Sequence, residues 1–398
     1  MKLEALVAEA REDLPQLQVL RRDLHQIPEF GLELPQTQAR LHREIEGLGS
    51  IAFGKRLNSL VLRIQGGQPG PTVLLRSDMD ALKVVETSGE SFASTNGYMH
   101  ACGHDLHMAM AVGAARLLHR HREELHGNVD IWFQPGEEGH GGADVMIEEG
   151  ALTAHGDKPI AAYGIHVFST YPAGIFASRA GALMASAGDM LVTFRGKGGH
   201  GSMPWLAKDP ITPMIEAMNS IPALVSKHFS AFDPVIVNIG WVRAGDDATT
   251  NVVPEQASFG ATVRTFSDEN FTAIRERLLA HMNAVASAHQ VEVEVEFTPS
   301  SHVVLNDAAA VERVRSLVSE GLGVERYLTL AQPIAGGEDF ASILREVPGA
   351  FIFLGAMPPE VDPAEAEANH SGKARFDDSV LADGAALLAA LAFGHLSN

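Results

Sequence analysis

Residues 72–80 read TVLLRSDMD, in which a buried-type strand of five residues runs into an acidic turn. Two further apolar stretches follow, VDIWF at 129–133 and AAYGIHV at 161–167. Between the first two, residues 104–125 have the apolar spacing of a helix. Strands that alternate with helices in this way predict an α/β fold with a mixed, largely parallel sheet flanked by helices.

The loops after Arg76, Phe133 and Ile165 are the expected place for a functional site. In open α/β sheets, ligands bind beyond the carboxyl ends of the strands. The second of these loops, QPGEEGHGG at 134–142, is too irregular to be a helix or a strand. The unusual residues of the sequence lie in these loops.

The middle third of the chain changes character and predicts a separate small domain. Its pattern is β-α-β-β-α-β, the order of a ferredoxin-like fold. The six predicted elements are residues 189–195, 209–228, 235–242, 257–264, 268–289 and 291–297. We therefore expect a catalytic domain formed by residues 1–184 and 299–398, with residues 185–298 inserted as a lid or dimerisation domain.

Composition excludes several classes of protein. The 398 residues include 30 basic and 50 acidic side chains, a formal charge of −20, and no basic run is present. Such a charge disfavours nucleic acid and anionic membranes as partners. No apolar window of about 20 residues is evident, and the charged N-terminal segment does not resemble a signal peptide. The single cysteine, Cys102, excludes an intrachain disulfide, so we expect a cytoplasmic protein.

Residues 100–107, HACGHDLH, form the densest cluster of chemically active side chains. Thiolate and imidazole are good zinc ligands, and a carboxylate can orient a ligating imidazole. The alternative for Cys102 is a small buried apolar residue. Histidines in a helix are often surface residues, so this cluster alone leaves both interpretations open.

The other candidates also have a plain alternative. Glu137 and Glu138 lie where a strand should end. Either they form a solvated acidic turn, or one of them binds a metal ion while the other transfers protons. His166 ends an apolar strand, where a core histidine is common, and His370 could be an exposed loop residue. Asp78 and Asp80 follow a buried strand and are also residue types that cap helices.

Taken together, the motifs resemble the aminoacylase/carboxypeptidase family of dinuclear metallohydrolases, and in particular its amidohydrolase branch. That branch includes hippurate hydrolases, indole-acetyl-amino-acid hydrolases and N-acyl-amino-acid deacylases. The resemblance covers essentially the whole chain, and HACGHD followed about thirty residues later by EEG is its most specific part. The matching motifs are RSDMDAL, HACGHDLH, QPGEEG, GIHV, GKGGHGSMP, TTNVVPE, GGEDFA and a late NHS.

Carried over by position, the resemblance implies a centre of two divalent metal ions bridged by the Cys102 thiolate. His104 would ligate one ion, and Glu138, His166 and His370 would complete the two sets. Zinc is the expected metal because the ligands are soft, and manganese, cobalt and nickel are the alternatives.

The same resemblance implies the catalytic roles. Glu137 would be the general base, and Asp80 would orient groups near the metals. Asp78 stands where carboxypeptidase relatives have a histidine ligand, and we do not count it as a ligand. His200 resembles a residue that reaches the active site of a neighbouring subunit, which implies a homodimer, or a dimer of dimers, through the inserted domain.

Asn251, Arg264 and Gly337 are further candidates for binding the substrate. The expected activity is hydrolysis of the amide bond of a small N-acyl amino acid by metal-bound hydroxide. A dipeptidase or carboxypeptidase with the same metal chemistry and a catalytically silent binding protein are the alternatives. Three residues differ from those usual at the same positions in this branch: Lys83, Leu106 and Gly136. They lie beside the expected pocket, so we expect them to affect how the substrate fits.

Overall fold

The computed structural model describes residues 1–397, which divide into two compact units. Unit 1 comprises Met1–Leu183, Val304–Gln332 and the segment from Asp339 onward. Unit 2 comprises Met184–Val303 and the short returning segment Pro333–Glu338. The middle of the chain is thus an insertion into unit 1.

The helices and strands are numbered in chain order. The α-helices are α1 Leu3–His25, α2 Pro35–Ile45, α3 His104–Arg120, α4 Gly142–Glu148, α5 Ile211–His228, α6 Asp268–Ala288, α7 Ala308–Gly321, α8 Phe340–Glu346 and α9 Leu381–Leu396. The strands are β1 Ser50–Phe53, β2 Leu60–Gln65, β3 Gln68–Asp78, β4 His126–Gln134, β5 Ala161–Pro172, β6 Phe176–Ser178, β7 Gly181–Met184, β8 Ser186–Arg195, β9 Gly199–His200, β10 Val235–Ala244, β11 Val252–Val253, β12 Gln256–Thr265, β13 Glu292–Ser301, β14 Val304–Asn306, β15 Tyr327–Thr329 and β16 Gly349–Met357.

An eight-stranded sheet in the order β1-β2-β4-β3-β5-β16-β6-β15 forms the centre of unit 1. The pairs β4–β3, β3–β5 and β5–β16 in the middle of the sheet are parallel, whereas the pairs β1–β2, β2–β4 and β16–β6 are antiparallel. The mixed, largely parallel sheet predicted from the sequence is therefore confirmed. Because β3, β4 and β5 run in the same direction, the loops that follow them meet at one edge.

Helix α9 is the central core helix of unit 1 and packs against α1 and α3. It lies in the one segment of residues 1–397, Asp378–Leu396, that is long and apolar enough to cross a membrane, with a mean hydropathy of 1.6. The expectation that no such window is present is therefore wrong for the length and composition of this segment. Because 83% of this window is buried inside the protein, the segment has the character of a core helix.

Unit 2 is a four-stranded antiparallel sheet in the order β10-β12-β8-β13. This is the ferredoxin-like arrangement expected from the β-α-β-β-α-β pattern. One sheet face packs against α5 and α6 through a separate core that includes Phe194, Phe259 and Leu278. The short strands β9 and β11 pair next to each other in the same unit.

Candidate metal centre

Cys102 lies in the turn that precedes α3, and its side chain is buried. Gly103 follows it with a φ of 85°, and a Cβ there would lie 2.3 Å from Val167 Cγ2, so only glycine fits. This tight turn aims the Cys102 thiol at two histidines. Its Sγ is 3.3 Å from His166 Nε2 and 3.2 Å from His370 Nε2.

His104 is the first residue of α3, and a hydrogen bond to a backbone carbonyl fixes the orientation of its ring. Its Nδ1–H donates to the carbonyl of Asp80 at 2.8 Å, which leaves Nε2 facing the other ligands. That Nε2 is buried and has no hydrogen-bond partner among residues 1–397. It lies 3.9 Å from Glu137 Oε2 and 4.0 Å from Glu138 Oε1.

His166 lies in the middle of β5, and a backbone carbonyl orients its ring in the same way. Its Nδ1–H donates to Val167 O at 2.9 Å. Burial lowers the pKa of His166 well below its usual range, and the nearby His107 adds to the shift. The ring is therefore neutral and keeps a lone pair on Nε2, on the side that faces Cys102.

Asp80 holds the acidic pair in place. The backbone N–H of Glu137 donates to Asp80 Oδ1 at 2.9 Å, and that of Glu138 donates to Oδ2 at 3.0 Å. Burial raises the pKa of Asp80 to about 8, although these two donors oppose the shift. Asp80 therefore fixes the loop after β4 and, through its carbonyl, the ring of His104.

Glu138 faces His370, which belongs to a distant loop. Glu138 Oε1 lies 3.3 Å from His370 Nε2. Burial alone would raise the pKa of Glu138, but His370 and His104 bring it below its usual value. In return, Glu138 raises the pKa of His370.

The structure thus brings together the side chains of all five predicted ligands, which we call the donor cluster: Cys102, His104, Glu138, His166 and His370. Within each of two groups that share Cys102, the potential ligand atoms lie within 4.8 Å of one another. One group adds His104 and His166, and the other adds Glu138 and His370.

The chemistry of the donor cluster fits cations better than it fits protein alone. Burial raises the pKa of the Cys102 thiol well above its usual value, and Glu138 and Glu137 add to the shift. A bound cation would reverse this, since it stabilises the thiolate that ligates it. The unpartnered Nε2 of His104 points to the same conclusion, because a buried polar atom usually has a partner.

Two other residues of the cluster motifs are satisfied without a metal. Asp78 Oδ1 accepts from His107 Nδ1 at 2.6 Å, and Asp78 Oδ2 accepts from Arg76 at 2.6 Å. The other ring nitrogen of His107 accepts the N–H of Val167 at 2.8 Å. Protein groups therefore occupy both oxygens of Asp78 and both nitrogens of His107, although these residues and His104 are close enough to form a third group.

A second buried group, which was not expected from the sequence, includes His100 and Asp105 of the same segment. We call it the ionic cluster; its members are Arg21, His25, Glu86, His100 and Asp105. Asp105 Oδ2 lies 2.7 Å from Arg21 Nε and 2.8 Å from His25 Nδ1. His25 Nε2 in turn faces Glu86 Oε1 at 3.1 Å. Arg21 and His25 lie on α1 at helical spacing, and only this four-residue interval hinted at a shared partner.

His200, Asn251 and Arg264, which were expected in the inserted domain, lie in unit 2, and Gly337, which falls in the predicted catalytic domain, also lies in unit 2. His200, in β9, is exposed, and its Nδ1 accepts from the hydroxyl of Ser202 at 2.8 Å. Asn251 is its neighbour, since the carbonyl of Asn251 accepts from Gly201 N–H at 2.7 Å. Arg264 pairs with Ala187 across β12 and β8, and a Cβ on Gly337 would lie 3.2 Å from the Ala187 side chain.

The fold and the donor cluster define a metal-binding hydrolase of the α/β class with an inserted small domain. The chain belongs to the peptidase family M20/M25/M40, whose family model matches residues 74–393. It is 35% identical over 383 residues to the IAA-amino acid hydrolase ILR1-like 2 of Arabidopsis thaliana, covering 95% of this chain and 84% of the relative. It is 34% identical over 345 residues to the N-acetylcysteine deacetylase of Bacillus subtilis, covering 86% and 88%.

A solved structure resembles the fold over nearly the whole chain. The YXEP protein of Bacillus subtilis, described as a dinuclear metal binding peptidase from the M20 family, superposes with a TM-score of 0.81. It is 31% identical, and the match covers 97% of this chain and 99% of that one.

Proposed function

We propose that this protein is a metal-dependent amidohydrolase that cleaves N-acyl amino acids into a carboxylic acid and a free amino acid. The observation that carries the proposal is the convergence of the donor cluster on a shared buried thiol, with Glu137 beside it. The relatives support the class of substrate, because the names of both the plant and the bacterial enzyme describe hydrolysis of an acylated amino acid.

The donor cluster would hold two divalent cations. Cys102 would bridge them, with His104 and His166 on one side and Glu138 and His370 on the other. When bound, such ions polarise a carbonyl and lower the pKa of coordinated water to about 7. We propose zinc because a thiolate and three imidazoles are soft or intermediate ligands.

Glu137 is the proposed general base. It lies in the same loop as Glu138, and its Oε2 is 3.9 Å from His104 Nε2. Glu137 Oε2 would take a proton from the attacking water and return it to the leaving amine. General acid–base catalysis of this kind typically contributes a factor of about 10² to 10⁴ in rate.

Asp80 would maintain the geometry of this step. Its carboxylate holds the backbone of both glutamates, while its carbonyl holds His104. One residue therefore sets the base and a ligand relative to each other. The pKa of its carboxyl, raised by burial, would fall on cation binding because a nearby positive charge favours the carboxylate.

Unit 2 would contribute groups that recognise the substrate. We propose that His200 stabilises the developing oxyanion in a neighbouring subunit, as a preorganised donor does in other hydrolases. Asn251, Arg264 and Gly337 are the proposed substrate-binding residues, with Arg264 suited to a carboxylate. A homodimer in the cytoplasm is part of the same proposal, and sedimentation velocity of the purified protein tests the dimer.

A substrate panel tests the proposed activity. Metal-free protein would be loaded with zinc, manganese, cobalt or nickel and assayed on hippurate, N-acetyl amino acids and dipeptides, with chelated protein as the control. We expect metal-dependent release of free amino acid from the N-acyl substrates. Absence of turnover on these substrates with every metal would refute the proposal.

A peptidase with the same metal chemistry is the second candidate, because the similar Bacillus subtilis structure is described as a peptidase. The same panel separates the two. A kcat/KM for dipeptides at least tenfold above that for N-acyl amino acids would favour the peptidase.

A further inference from the structure

Asn369 links three segments of unit 1 and precedes His370 directly. Its Nδ2 donates to Val167 O at 2.9 Å and to Cys102 O at 3.2 Å, and lies 3.9 Å from Cys102 Sγ. Its Oδ1 accepts from both the N–H and the hydroxyl of Ser169 at 3.0 Å. The amide of one side chain therefore contacts the turn before α3 and the strand β5 at once.

The contacts of Asn369 Nδ2 reach Cys102 itself and Val167, the residue that follows His166. The carbonyl of Val167, which accepts a hydrogen bond from Asn369 Nδ2, also accepts one from His166 Nδ1–H at 2.9 Å. Movement of this carbonyl would turn the His166 ring, because the hydrogen bond fixes the direction of Nε2. The contacts to Cys102 restrain both its backbone and its sulfur.

The backbone of His370 gives an independent reason to expect such a restraint. Its φ is 72°, in the left-handed region that residues other than glycine rarely adopt. A residue in this conformation needs surrounding contacts to hold it, and such residues cluster at functional sites. The N–H of His370 donates to Ala101 O at 2.9 Å. The side-chain hydrogen bonds of Asn369 anchor the residue directly before His370. In this conformation His370 Nε2 faces both Cys102 and Glu138.

We propose that Asn369 is a positioning residue that fixes Cys102, His166 and His370 in one geometry for metal binding. It acts through these ligands and does not contact the substrate. The inference rests on the metal-binding part of the proposed function and extends it to a residue outside the ligand set. Outer residues that orient metal ligands typically account for about 10- to 100-fold in metal affinity.

Metal-binding measurements on Asn369→Ala and Asn369→Asp test the inference without a substrate. The Kd of the metal-free protein for Zn²⁺ would be measured by competition with a chromophoric chelator. We expect a Kd about 10- to 100-fold higher for Asn369→Ala. Asn369→Asp has nearly the same shape but replaces the NH₂ donor with an acceptor beside two carbonyls, so its loss should be at least as large.

The spectrum of the cobalt-loaded protein supplies a readout that loss of stability alone does not change. A thiolate bound to Co²⁺ gives a charge-transfer band in the near ultraviolet. We expect this band to shift in both Asn369 variants, because the N–H near Cys102 Sγ is lost and His166 and His370 are released.

Asn306 provides a matched control in the same unit. Its buried amide donates to Ser178 Oγ, Arg179 O and Phe351 O, and none of these three partners belongs to the donor cluster. Asn306→Ala should lower the melting temperature while leaving the Zn²⁺ Kd and the cobalt band unchanged. An equal loss of affinity in this control would overturn the inference, since the effect would then be one of general stability.

Ser169→Ala is the milder variant to use if the Asn369 variants do not fold. It removes the hydroxyl, which is shared between Asn369 Oδ1 at 3.0 Å and Glu367 O at 2.7 Å, but keeps the backbone N–H that donates to Asn369, so we expect a loss of a few fold in affinity. A wild-type Kd and cobalt band in the Asn369 variants, or in Ser169→Ala if only that variant folds, overturns the inference. If wild-type protein binds two ions but cleaves no N-acyl amino acid, the proposed function fails while the role of Asn369 is still decided by these measurements.

Discussion

The donor cluster and the ionic cluster flank the same short segment of chain, yet they balance their charges differently. Both contain histidine and carboxylate side chains, and both are largely buried, except that the His370 side chain of the donor cluster is 56% exposed. The ionic cluster includes Arg21, whose guanidinium lies beside the carboxylate of Asp105. Among residues 1–397, no lysine or arginine forms an ion pair with a member of the donor cluster. His104 and Asp105 are adjacent in sequence, so α3 begins with one residue in each environment.

This difference indicates which cluster needs a ligand. Burying a charge is costly unless it is paired, and the ionic cluster is paired from within the protein. The donor cluster instead has a buried thiol whose pKa is raised by burial and by the nearby Glu138 and Glu137. Cations from solution would supply to the donor cluster the positive charge that Arg21 supplies to the ionic cluster. The contrast predicts that substitutions in the donor cluster change metal content and activity, whereas those in the ionic cluster change stability.

The largest effect is expected for Cys102→Ala. The thiol belongs to both ligand groups, so its removal should eliminate at least one of two metal equivalents and reduce turnover to background. Elemental analysis of the purified variant measures the first and the hippurate assay the second. Two bound equivalents in this variant would contradict the bridging role of Cys102. Cys102→Ser keeps the volume but replaces the soft sulfur, and it should also bind zinc more weakly than wild type.

Glu137→Gln should reduce kcat by about 10² to 10⁴ while the metal content stays at the wild-type level. The amide keeps the shape of the side chain but cannot accept a proton. Glu320→Gln, at an exposed position on α7, is the control and should be unchanged in both measurements. A normal kcat in Glu137→Gln would remove Glu137 from the mechanism.

The fold and the members of the donor cluster could be predicted from features of the sequence itself. The buried stretches TVLL of β3 and AAYGIHV of β5 are mostly apolar, as expected for parallel strands buried on both faces. The loops that follow them contain residues that have no amphipathic reason to be there, such as Glu137 and Glu138. The motif order then connected these loops with His370, whose position gives no local signal.

Residues whose contacts are far away in the sequence could not be predicted in this way. Asn369 contacts Cys102 across 267 residues, and His25 contacts Asp105 across 80. Neither pair has a periodicity or spacing that would connect its members. Asp78 shows the same limit, because its neighbours Arg76 and His107 explain why it is not an available ligand, and only the coordinates reveal them.

Asp105→Asn should destabilise the protein by about 3–5 kcal/mol, because the buried Arg21 guanidinium loses its nearest carboxylate at 2.7 Å and keeps only Asp378 at 3.9 Å. Chemical denaturation measures the free energy of unfolding, and elemental analysis should still find the wild-type metal content. The double variant Arg21→Met with Asp105→Asn should recover part of the loss. If the double variant were no more stable than Asp105→Asn, the charge pair would not be the cause.

Glu86→Gln should cost about 1.5–3 kcal/mol at neutral pH, since it removes a charged partner of His25. Burial alone would raise the pKa of Glu86, but His25 and Ser88 lower it to about 2 from the ordinary value of 4.5. A lowered pKa stabilises the folded state above the unfolded pKa, and this contribution is lost as the pH falls from about 4.5 to about 2. The stability difference between wild type and Glu86→Gln, measured by urea denaturation, should therefore shrink as the pH falls below about 4.5. A difference that does not depend on pH would exclude this linkage.

The smallest effect is expected for His100→Leu, within the ionic cluster itself. The His100 side chain is buried, and neither ring nitrogen has a hydrogen-bond partner among residues 1–397. Replacing a buried polar group that makes no bond with an apolar side chain of similar size is close to neutral. We therefore expect a change of less than about 1 kcal/mol in the free energy of unfolding, with unchanged metal content. Loss of a metal equivalent in this variant would mean that His100 belongs with the donor cluster, and the division between the two clusters would have to be redrawn through the HACGHDLH segment.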